Sequence, residues 1–449
     1  MGIPDTHYAK TPDGVYIAYQ VIGDGPIDVV WQSDWPGNID VEQEEPLGKV
    51  WIREVSSFSR LILHDRRGIG LSSRNVALPN LETRVSDLLV VLDAVGSERP
   101  VLTGIFESGA PNALLAATRP ELVHSMVWME PAPRFSWAPD WPWGRRSHDM
   151  EREVEDLVLW GTMAYGRAFV ADEASKGNDL SVALDTDAIA AWMAKASRNA
   201  CTPDVARALA QIWYDTDIRP VLPSIQVPTL IQAKTGSTEE SARSRYVASL
   251  IPGAELQALP GGSWTKEDMR LAVDGIRGFV GAERPYLELD TILSTVLFTD
   301  IVDSTEKQVA LGDHGWKELI EQHHAVVRES LVRWHGVEND TAGDGFYATF
   351  DGPARAIRCA QDVTHLARDL GIEIRAGVHT GECELIDGKV GGLAVTIGAR
   401  VAATAGASEV RISQTVKDLV AGSGLSFEDA GEHELKGVPD QWHLYRVLK

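Results

Sequence analysis

The sequence predicts an α/β protein of two domains, a parallel sheet with a helical cap followed by a smaller α+β domain. A chain of 449 residues is too long for one ordinary domain. Short β-rich runs alternate with helical patterns over residues 14–130 and resume after the cap, which is typical of a parallel sheet. After a linker predicted at 282–292, the pattern changes at STVLFTDIV, and strands and helices follow in a different order. These changes predict domains at 1–281 and 293–449.

The apolar runs of the first domain predict its elements. Runs rich in Val, Ile and Leu, bounded by turn residues, predict buried strands at 27–33, 60–65, 99–104, 125–131, 227–236 and 254–262. Amphipathic patterns predict helices at 81–96 and 270–281, and a further helix follows the strand that ends at 104. From about 132 to 215 tryptophans cluster and helical periodicity dominates, which predicts a helical cap inserted into the sheet.

The composition argues against two classes of partner. Asp and Glu outnumber Lys and Arg by 65 to 42, so nucleic acid and anionic membranes are disfavoured as partners. Hydrophobic residues make up 44%, enough for buried cores. The sequence contains no uninterrupted apolar stretch of about 18 residues, so we expect no membrane span. The three cysteines are scattered and the first residues do not form a signal peptide, so we expect a cytoplasmic protein with reduced thiols.

The stretch TGIFESGA, residues 103–110, stands between a predicted strand and a predicted helix. A strand, a glycine-rich turn and a helix form the nucleophile elbow, whose signature is G-x-S-x-G. With HDRRGIGLSSR (64–74) and ATRPELV (117–123), this segment resembles the α/β-hydrolase family over residues 14–281. The family presents its nucleophile, acid and histidine in that chain order, and the matching positions here hold Phe106, Ser237 and Trp264.

None of the residues at these positions carries the chemistry of the family. Phenylalanine has no group for a base to activate, and an indole cannot accept a proton as an imidazole does. We therefore predict a hydrolase-like domain without hydrolase activity, whose retained pocket binds an apolar small molecule beside Phe106 and Trp264. Two alternatives stay open: the domain is only a structural spacer, or Ser108 acts as a nucleophile.

The strongest signal lies in residues 293–449. STVLFTDIVDSTEK (294–307) is an apolar strand ending at Asp300 and followed by a helix start, and TAGDGFYATF (341–350) forms two strands around a tight turn at Asp344. With IEIRAGVHTGE and ELKGVPDQWHLYRV, these motifs resemble the class III nucleotidyl cyclases over the whole domain. The chain as a whole resembles mycobacterial-type hydrolase–cyclase fusions. The resemblance implies an α+β domain with a ferredoxin-like core.

The resemblance also implies a reaction, in which the ribose 3′-oxygen of a nucleoside triphosphate attacks the α-phosphate and pyrophosphate leaves. Two divalent cations, Mg²⁺ or Mn²⁺, assist it, and hard cations prefer carboxylate oxygens. Asp300 and Asp344 supply these oxygens if their strands lie side by side, and the family adds the backbone carbonyl of Ile301. Backbone N–H groups from Val302 to Thr305, including that of Ser304, are expected to bind phosphates at the following helix N-terminus.

In the family, further residues of the site come from a partner subunit, which implies a homodimer. In VTIGAR, Arg400 matches the arginine that stabilises charge developing on the α-phosphate. Four residues earlier the family has an asparagine that orients the ribose, and this chain has Thr396, which keeps a hydroxyl group. Without the resemblance, Arg400 reads as a solvated surface residue.

The residues that read the purine depart from the family. Adenylate cyclases place a lysine four residues before the second metal aspartate and an aspartate seven before the ribose asparagine, and here these positions hold Asp340 and Lys389. Asp340 can accept a hydrogen bond from the adenine amine while Lys389 donates a hydrogen bond to a ring nitrogen. Alternatively, Asp340 accepts from guanine N1–H and Lys389 meets O6, or both face solvent and the base is poorly discriminated. Asn339 is expected on the opposite strand face unless a β-bulge re-aims it.

The sequence therefore predicts a homodimeric cyclase that converts ATP to cyclic AMP, with an inactive hydrolase-like domain as sensor or regulator. Guanylate cyclase activity on GTP is one alternative, and a non-enzymatic nucleotide- or ligand-binding regulator is another. A serine hydrolase that uses Ser108 is a third, against which the missing acid and histidine argue.

Overall fold

The structure, a computed structural model, describes residues 4–32, 35–175, 185–236, 238–261, 264–282, 291–386 and 389–448. The chain divides into two compact units, Met1–Glu288 and Leu289–Lys449. The linker predicted at 282–292 falls largely outside the described residues.

The N-terminal unit is built on a sheet of eight strands. In chain order these are β1 (Thr6–Lys10), β2 (Tyr16–Ile22), β3 (Asp28–Gln32), β4 (Arg60–His64), β5 (Val101–Ile105), β6 (Ser125–Met129), β7 (Thr229–Lys234) and β8 (Glu255–Leu259). Across the sheet the order is β1-β2-β4-β3-β5-β6-β7-β8. In this order, each strand from β4 to β8, including β3, is parallel to its neighbours in that part of the sheet. β1 and β2 are antiparallel additions beside β4.

Helices connect these strands and form the cap. They are α1 (Ile39–Glu42), α2 (Pro46–Ser56), α3 (Leu81–Val95), α4 (Gly109–Thr118), α5 (Ser147–Asp156), α6 (Met163–Ser175), α7 (Thr186–Ala200), α8 (Pro203–Asp215), α9 (Thr238–Leu250) and α10 (Lys266–Val280). The four helices α5 to α8 follow β6 and precede β7, where the sequence predicts the cap. The predicted parallel sheet with a helical cap is therefore confirmed.

The limits of α3 show how the sequence sets an element. The side chain of Asn80 accepts a hydrogen bond from the backbone N–H of Thr83 at 2.8 Å, which caps the first turn. Gly96 ends the helix with a φ of 63°, in the left-handed region that favours glycine.

The C-terminal unit contains a mixed sheet. Its strands are β9 (Thr291–Ile301), β10 (Val337–Ala342), β11 (Gly345–Phe350), β12 (Ile374–Ile386), β13 (Lys389–Gly391), β14 (Val410–Ser413), β15 (Phe427–Glu434) and β16 (Gln441–Val447). Its helices are α11 (Ser304–Arg333, interrupted at Gly312), α12 (Pro353–Leu366), α13 (Leu393–Thr404) and α14 (Gln414–Leu419). The sheet order is β10-β11-β9-β12-β14-β16-β15, with β13 paired to β12. The succession β9-α11-β10-β11-α12-β12 in this order is the predicted ferredoxin-like core.

The two faces of this sheet pack differently. Leu297 and Ile301 of β9 lie in a core shared with α11 and α12. Because side chains alternate along a strand, Val296 and Asp300 point to the opposite face. α13 lies on that second face, so close that a Cβ on Gly398 would stand 2.4 Å from Cγ2 of Val296.

Across the described ranges, no helix combines the length and the apolar character that crossing a bilayer requires.

Candidate functional site

The elbow keeps its backbone geometry although its nucleophile position holds Phe106. β5 ends at Ile105, a 3₁₀ turn covers Phe106–Ser108, and α4 begins at Gly109. Phe106 has a φ of 46°, a left-handed conformation that is strained for a bulky residue. Gly104 permits the tight turn, since a Cβ there would lie 2.7 Å from the nitrogen of Gly109. The turn thus presents a phenyl ring where the hydrolase family presents a nucleophile.

Ser108 is buried and its hydroxyl is already engaged. The residue is 0% exposed, and its Oγ accepts a hydrogen bond from the N–H of Ile105 at 2.8 Å and donates to the Ile105 carbonyl at 2.7 Å. These bonds stabilise the turn after β5, and they argue against the alternative in which Ser108 is a nucleophile.

We expect Ser108→Ala to lower the free energy of unfolding by about 1–3 kcal/mol, because the half-buried N–H of Ile105 loses the acceptor that the buried Ser108 hydroxyl supplies. Chemical denaturation measures this loss. Ser57→Ala is the control: the exposed hydroxyl of Ser57 donates to the carbonyl of Glu54 at 2.6 Å, and its removal should change stability by less than about 0.5 kcal/mol. Neither variant should alter ester hydrolysis. Wild-type esterase activity that disappeared in Ser108→Ala would restore the hydrolase alternative.

The position predicted for the histidine, Trp264, lies over a buried ion pair. The side chain of Lys234, the last residue of β7, is 0% exposed and lies 2.9 Å from Asp268. Its Nζ also donates to the carbonyl of Pro260 and lies 5.4 Å from the centroid of the Trp264 ring. The Trp264 ring therefore lies within the range of a cation–π interaction with Lys234. Ser237, the position predicted for the acid, lies outside the described residues.

A pocket lies beneath the cap, and the predicted pocket beside Phe106 and Trp264 stays a prediction. The lining of the pocket beneath the cap is mostly apolar but includes the charged side chains of Arg84 and Glu107, and neither Phe106 nor Trp264 contributes to it.

Asp300 and Asp344 lie next to each other in the C-terminal unit. Asp300 is the penultimate residue of β9, and Asp344 occupies the turn between β10 and β11. β9 and β11 are antiparallel, and Thr299 of β9 lies opposite Phe346 of β11. Asp300 is one residue from Thr299 and Asp344 is two residues from Phe346, so the two aspartates lie at the same end of the strand pair. The structure thus brings together the two carboxylates that the sequence predicts as metal ligands.

The surroundings of Asp344 fit a divalent cation. Burial raises the pKa of Asp344 above its ordinary value and the neighbouring carboxylate of Asp300 adds to this, while hydrogen bonds from Ser304 and the backbone of Ile301 act in the opposite direction. Its Oδ2 is buried without a hydrogen-bond partner among the described residues. An unsatisfied carboxylate oxygen beside a second carboxylate is an arrangement that a hard cation stabilises. Asp300, Asp344 and the Ile301 carbonyl are thus a suitable set of oxygen donors.

A guanidinium group neutralises Asp300 in this structure. Arg375 of β12 lies opposite Asp300 in the strand pairing. Its Nε donates a hydrogen bond to Oδ2 of Asp300 at 3.0 Å, and its Nη2 donates a second hydrogen bond to the same oxygen. The two side chains are 38% and 37% exposed, so solvent screens the pair. The sequence analysis did not predict Arg375, because only the register of β9 and β12 brings the two residues together.

Two histidines of α11 fix the turn that carries Asp344. The Nε2 of His324 donates to the carbonyl of Gly343 at 2.9 Å, and that of His323 donates to the carbonyl of Asp344 at 3.2 Å. Burial lowers the pKa of His323 to about 4, so this ring is neutral near pH 7. The sequence analysis also missed these histidines, since adjacent histidines on a helix carry no motif.

The predicted phosphate-binding turn is corrected at one position. The N–H of Val302 donates to the carbonyl of Glu373 at 2.9 Å, so it is not available to a phosphate. α11 begins at Ser304, directly after Asp303, whose φ is 56°. The N–H groups of Ser304 and Thr305 lie in the first helical turn, and their contact with phosphate stays a prediction.

Thr396 and Arg400 share one exposed face of α13, because they are four residues apart on a helix. The Nε of Arg400 donates to the carbonyl of Lys436 at 3.0 Å. This bond holds the Arg400 side chain against the backbone of Lys436, a contact that the sequence analysis did not predict.

Of the residues predicted to read the base, the structure describes Asp340 and its neighbour in full. Asn339 occupies a β-bulge in β10, and its Nδ2 donates to Oγ1 of Thr349 at 2.7 Å on the adjacent strand. Asp340 is exposed and accepts a hydrogen bond from the N–H of Thr341 at 3.0 Å. Lys389 begins β13, and its side chain lies outside the described part of the unit.

The comparisons with known proteins agree with this division of the chain. Residues 290–449 match the family described as "Adenylate and Guanylate cyclase catalytic domain". The resemblance of this part is confirmed. The chain is also similar to "Putative adenylate cyclase 3" of Rhizobium meliloti, with 29% identity over 140 residues. That similarity covers 29% of this chain and only 22% of the Rhizobium protein.

The N-terminal unit is similar to α/β-hydrolases. "Putative non-heme chloroperoxidase" of Synechocystis is 28% identical over 247 residues, which cover 49% of this chain and 83% of that protein. The crystal structure of bromoperoxidase from Bacillus anthracis superimposes with a TM-score of 0.52 at 19% identity, covering 62% of this chain and 100% of that one. At this identity the superposition shows the fold, and the predicted α/β-hydrolase-like fold is confirmed.

Proposed function

We propose that the protein is a homodimeric nucleotidyl cyclase that converts ATP to cyclic AMP and pyrophosphate. The observation that carries this proposal is the juxtaposition of Asp300 and Asp344, with an unsatisfied carboxylate oxygen on Asp344. The family match of residues 290–449 supports the reaction class. The similarity to a Rhizobium protein named as an adenylate cyclase supports ATP as the substrate.

Each group of the site has a role in this reaction. Two divalent cations, held by Asp300, Asp344 and the Ile301 carbonyl, would activate the ribose 3′-oxygen and neutralise the triphosphate. His323 and His324 hold the turn at Asp344 in place through two backbone carbonyls. This preorganisation matters because a shift of about 1 Å in a reacting group can reduce a rate by two orders of magnitude.

The position of Arg400 supports the proposal that a partner subunit contributes to the site. Within one unit the guanidinium that contacts Asp300 belongs to Arg375, whereas Arg400 is bonded to the Lys436 carbonyl. We propose that Arg400 stabilises the charge on the α-phosphate of a nucleotide held by the partner's aspartates, and that Thr396, one turn away on α13, contacts the ribose. Ser304 and Thr305 would bind phosphate through their N–H groups.

The N-terminal unit is proposed to be a sensor without hydrolase activity. The elbow of this unit carries a phenyl ring at Phe106, and the position of the histidine carries Trp264 over Lys234. Neither residue can act as a nucleophile or a base, whereas the pocket between the elbow and the cap is retained.

The test is a product assay on the purified full chain, with ATP or GTP and with Mg²⁺ or Mn²⁺. We expect cyclic AMP from ATP with at least one of the two metals, and none when EDTA removes the cations. Base discrimination should be modest, because Asp340 is exposed and its carboxylate is bonded to the N–H of its own neighbour, Thr341. Cyclic GMP as the sole product would make the protein a guanylate cyclase. Nucleotide binding without either product would favour the non-enzymatic regulator.

A further inference from the structure

A buried group of three charges lies beside the elbow of the N-terminal unit. Glu107 pairs with Arg66 and with Arg84, each at 2.6 Å. The side chains are 7%, 2% and 6% exposed respectively. Arg84 is further bonded to Oε1 of Gln32 at 2.7 Å. Burial alone acts to raise the pKa of Glu107, but Arg84 and Arg66 hold it below its usual range. The group therefore contains two positive charges and one negative charge.

Two donors of Arg66 are not used within this group. Only its Nη1 is bonded to Glu107, while its Nε and Nη2 are buried without a hydrogen-bond partner among the described residues. Buried arginine donors are normally satisfied. Nε and Nη2 lie on one edge of the guanidinium group, and this edge is a fork that receives both oxygens of a carboxylate. Arg66 is thus preorganised for a second anion besides Glu107.

The charged group adjoins the pocket between the elbow and the cap. Glu107 and Arg84 line it directly, and Arg66 stands 5.7 Å from the ring centroid of Trp213, which also lines it. The remaining lining is mostly apolar, with Phe135 and Ile212 among it. The empty space of about 350 Å³ includes open solvent, so the enclosed part of the pocket is small. An apolar pocket with a few polar groups at one end fixes the orientation of a small ligand.

We propose that this pocket binds a small aliphatic carboxylate, with its alkyl chain between the cap and the elbow and its carboxylate on Nε and Nη2 of Arg66. A neutral ligand would leave these donors unpaired, and a cationic ligand would meet the excess positive charge. Glu107 keeps its bond to Arg84 in the complex. Because both nitrogens are closed off from solvent, binding requires cap side chains such as Trp213 to move aside. This inference goes beyond the proposed cyclase activity and does not depend on it.

The test is calorimetric titration of the full chain, without nucleotide, with butyrate, hexanoate and decanoate at constant ionic strength. Hexan-1-ol and hexylamine are the matched neutral and cationic ligands, and acetate tests for binding of the anion alone. We expect at least one of the three carboxylates to bind, and hexan-1-ol to bind roughly tenfold or more weakly than hexanoate. Equal affinity for hexanoate and hexan-1-ol, equal affinity for acetate, or no binding of any of the three longer carboxylates would overturn the proposal.

Variants locate the site. Arg66→Gln should weaken hexanoate binding roughly tenfold, to the level of hexan-1-ol, because the fork is lost while Glu107 keeps Arg84. Arg60→Gln is the matched control: Arg60 pairs with Asp28 in the same sheet, does not line the pocket, and should leave the affinity unchanged. If Arg66→Gln does not fold, Ala132→Val, which narrows the pocket, should weaken binding of every carboxylate. Wild-type affinity in a folded Arg66→Gln or Ala132→Val chain would contradict the site. Cyclase activity is measured separately. Failure of the binding tests would therefore contradict the ligand proposal and not the proposed cyclase function.

Discussion

Asp344→Asn is expected to lower the rate of cyclic nucleotide formation by roughly a hundred- to a thousandfold, while the protein stays folded. The carboxylate of Asp344 lies beside that of Asp300, with one buried oxygen free of hydrogen bonds among the described residues. An amide is neutral and binds hard cations poorly, so the triphosphate charge would lose its compensation. Asp300→Asn should show a loss of the same order. The measurement is kcat with saturating ATP over a range of Mn²⁺ and Mg²⁺ concentrations.

A stability measurement separates this effect from misfolding. Burial raises the pKa of Asp344, which means that the folded protein disfavours its ionised form. A neutral asparagine removes that cost, so Asp344→Asn should unfold at the same or a higher temperature when no divalent cation is present. Asp351→Asn is the control, since Asp351 pairs with Arg355 at 2.8 Å just beyond the other end of β11 and should affect neither activity nor stability strongly. Near-wild-type turnover in both Asp344→Asn and Asp300→Asn would contradict the assignment of the metal site.

The sequence predicted those parts of the fold that local pattern determines. Continuous apolar runs such as the one ending at Ile105 gave the buried parallel strands, because such a strand is covered on both faces. The antiparallel strands β1 and β2 were not predicted individually, since polar residues such as His7 and Gln20 interrupt their apolar pattern. The positions of Asp300 and Asp344 were predictable because each follows a strand within a recognisable motif.

The contacts that sequence reasoning missed all depend on register or on distant packing. Arg375 meets Asp300 only because β12 pairs with β9. The pairing of Glu107 with Arg66 and Arg84 joins residues from the elbow, the segment after β4, and α3. Neither arrangement leaves a motif in the sequence, because no local pattern encodes which distant side chains share a buried space. For the same reason, the sequence analysis did not assign Arg84 or Glu107 to a pocket of the N-terminal unit.

Mixing two inactive variants is expected to restore activity. Arg400→Ala and Asp344→Ala chains, purified separately, should each be inactive, because each homodimer has two defective sites. In a heterodimer of the two, one site combines the intact Asp344 of one chain with the intact Arg400 of the other. Random pairing of equal amounts makes half of the dimers mixed, so about a quarter of all sites should be active in a symmetric dimer. The measurement is cyclic AMP production by the equal mixture. Heterodimers isolated from it through two different affinity tags should have about half of their sites active.

The Asp344→Ala, Arg400→Ala double variant gives the opposite expectation and is the sharper test. Paired with wild type, it leaves no intact site if the two residues act from different chains, because each site of the mixed dimer then contains one substituted residue. An equal mixture should therefore fall to about a quarter of wild-type activity, from the wild-type homodimers alone. If instead both residues of a site came from one chain, the mixed dimer would keep one good site and the mixture about half of the activity. The second outcome, together with no recovery in the first mixture, would contradict a site shared between subunits and would require Arg400 to reach the aspartates of its own chain.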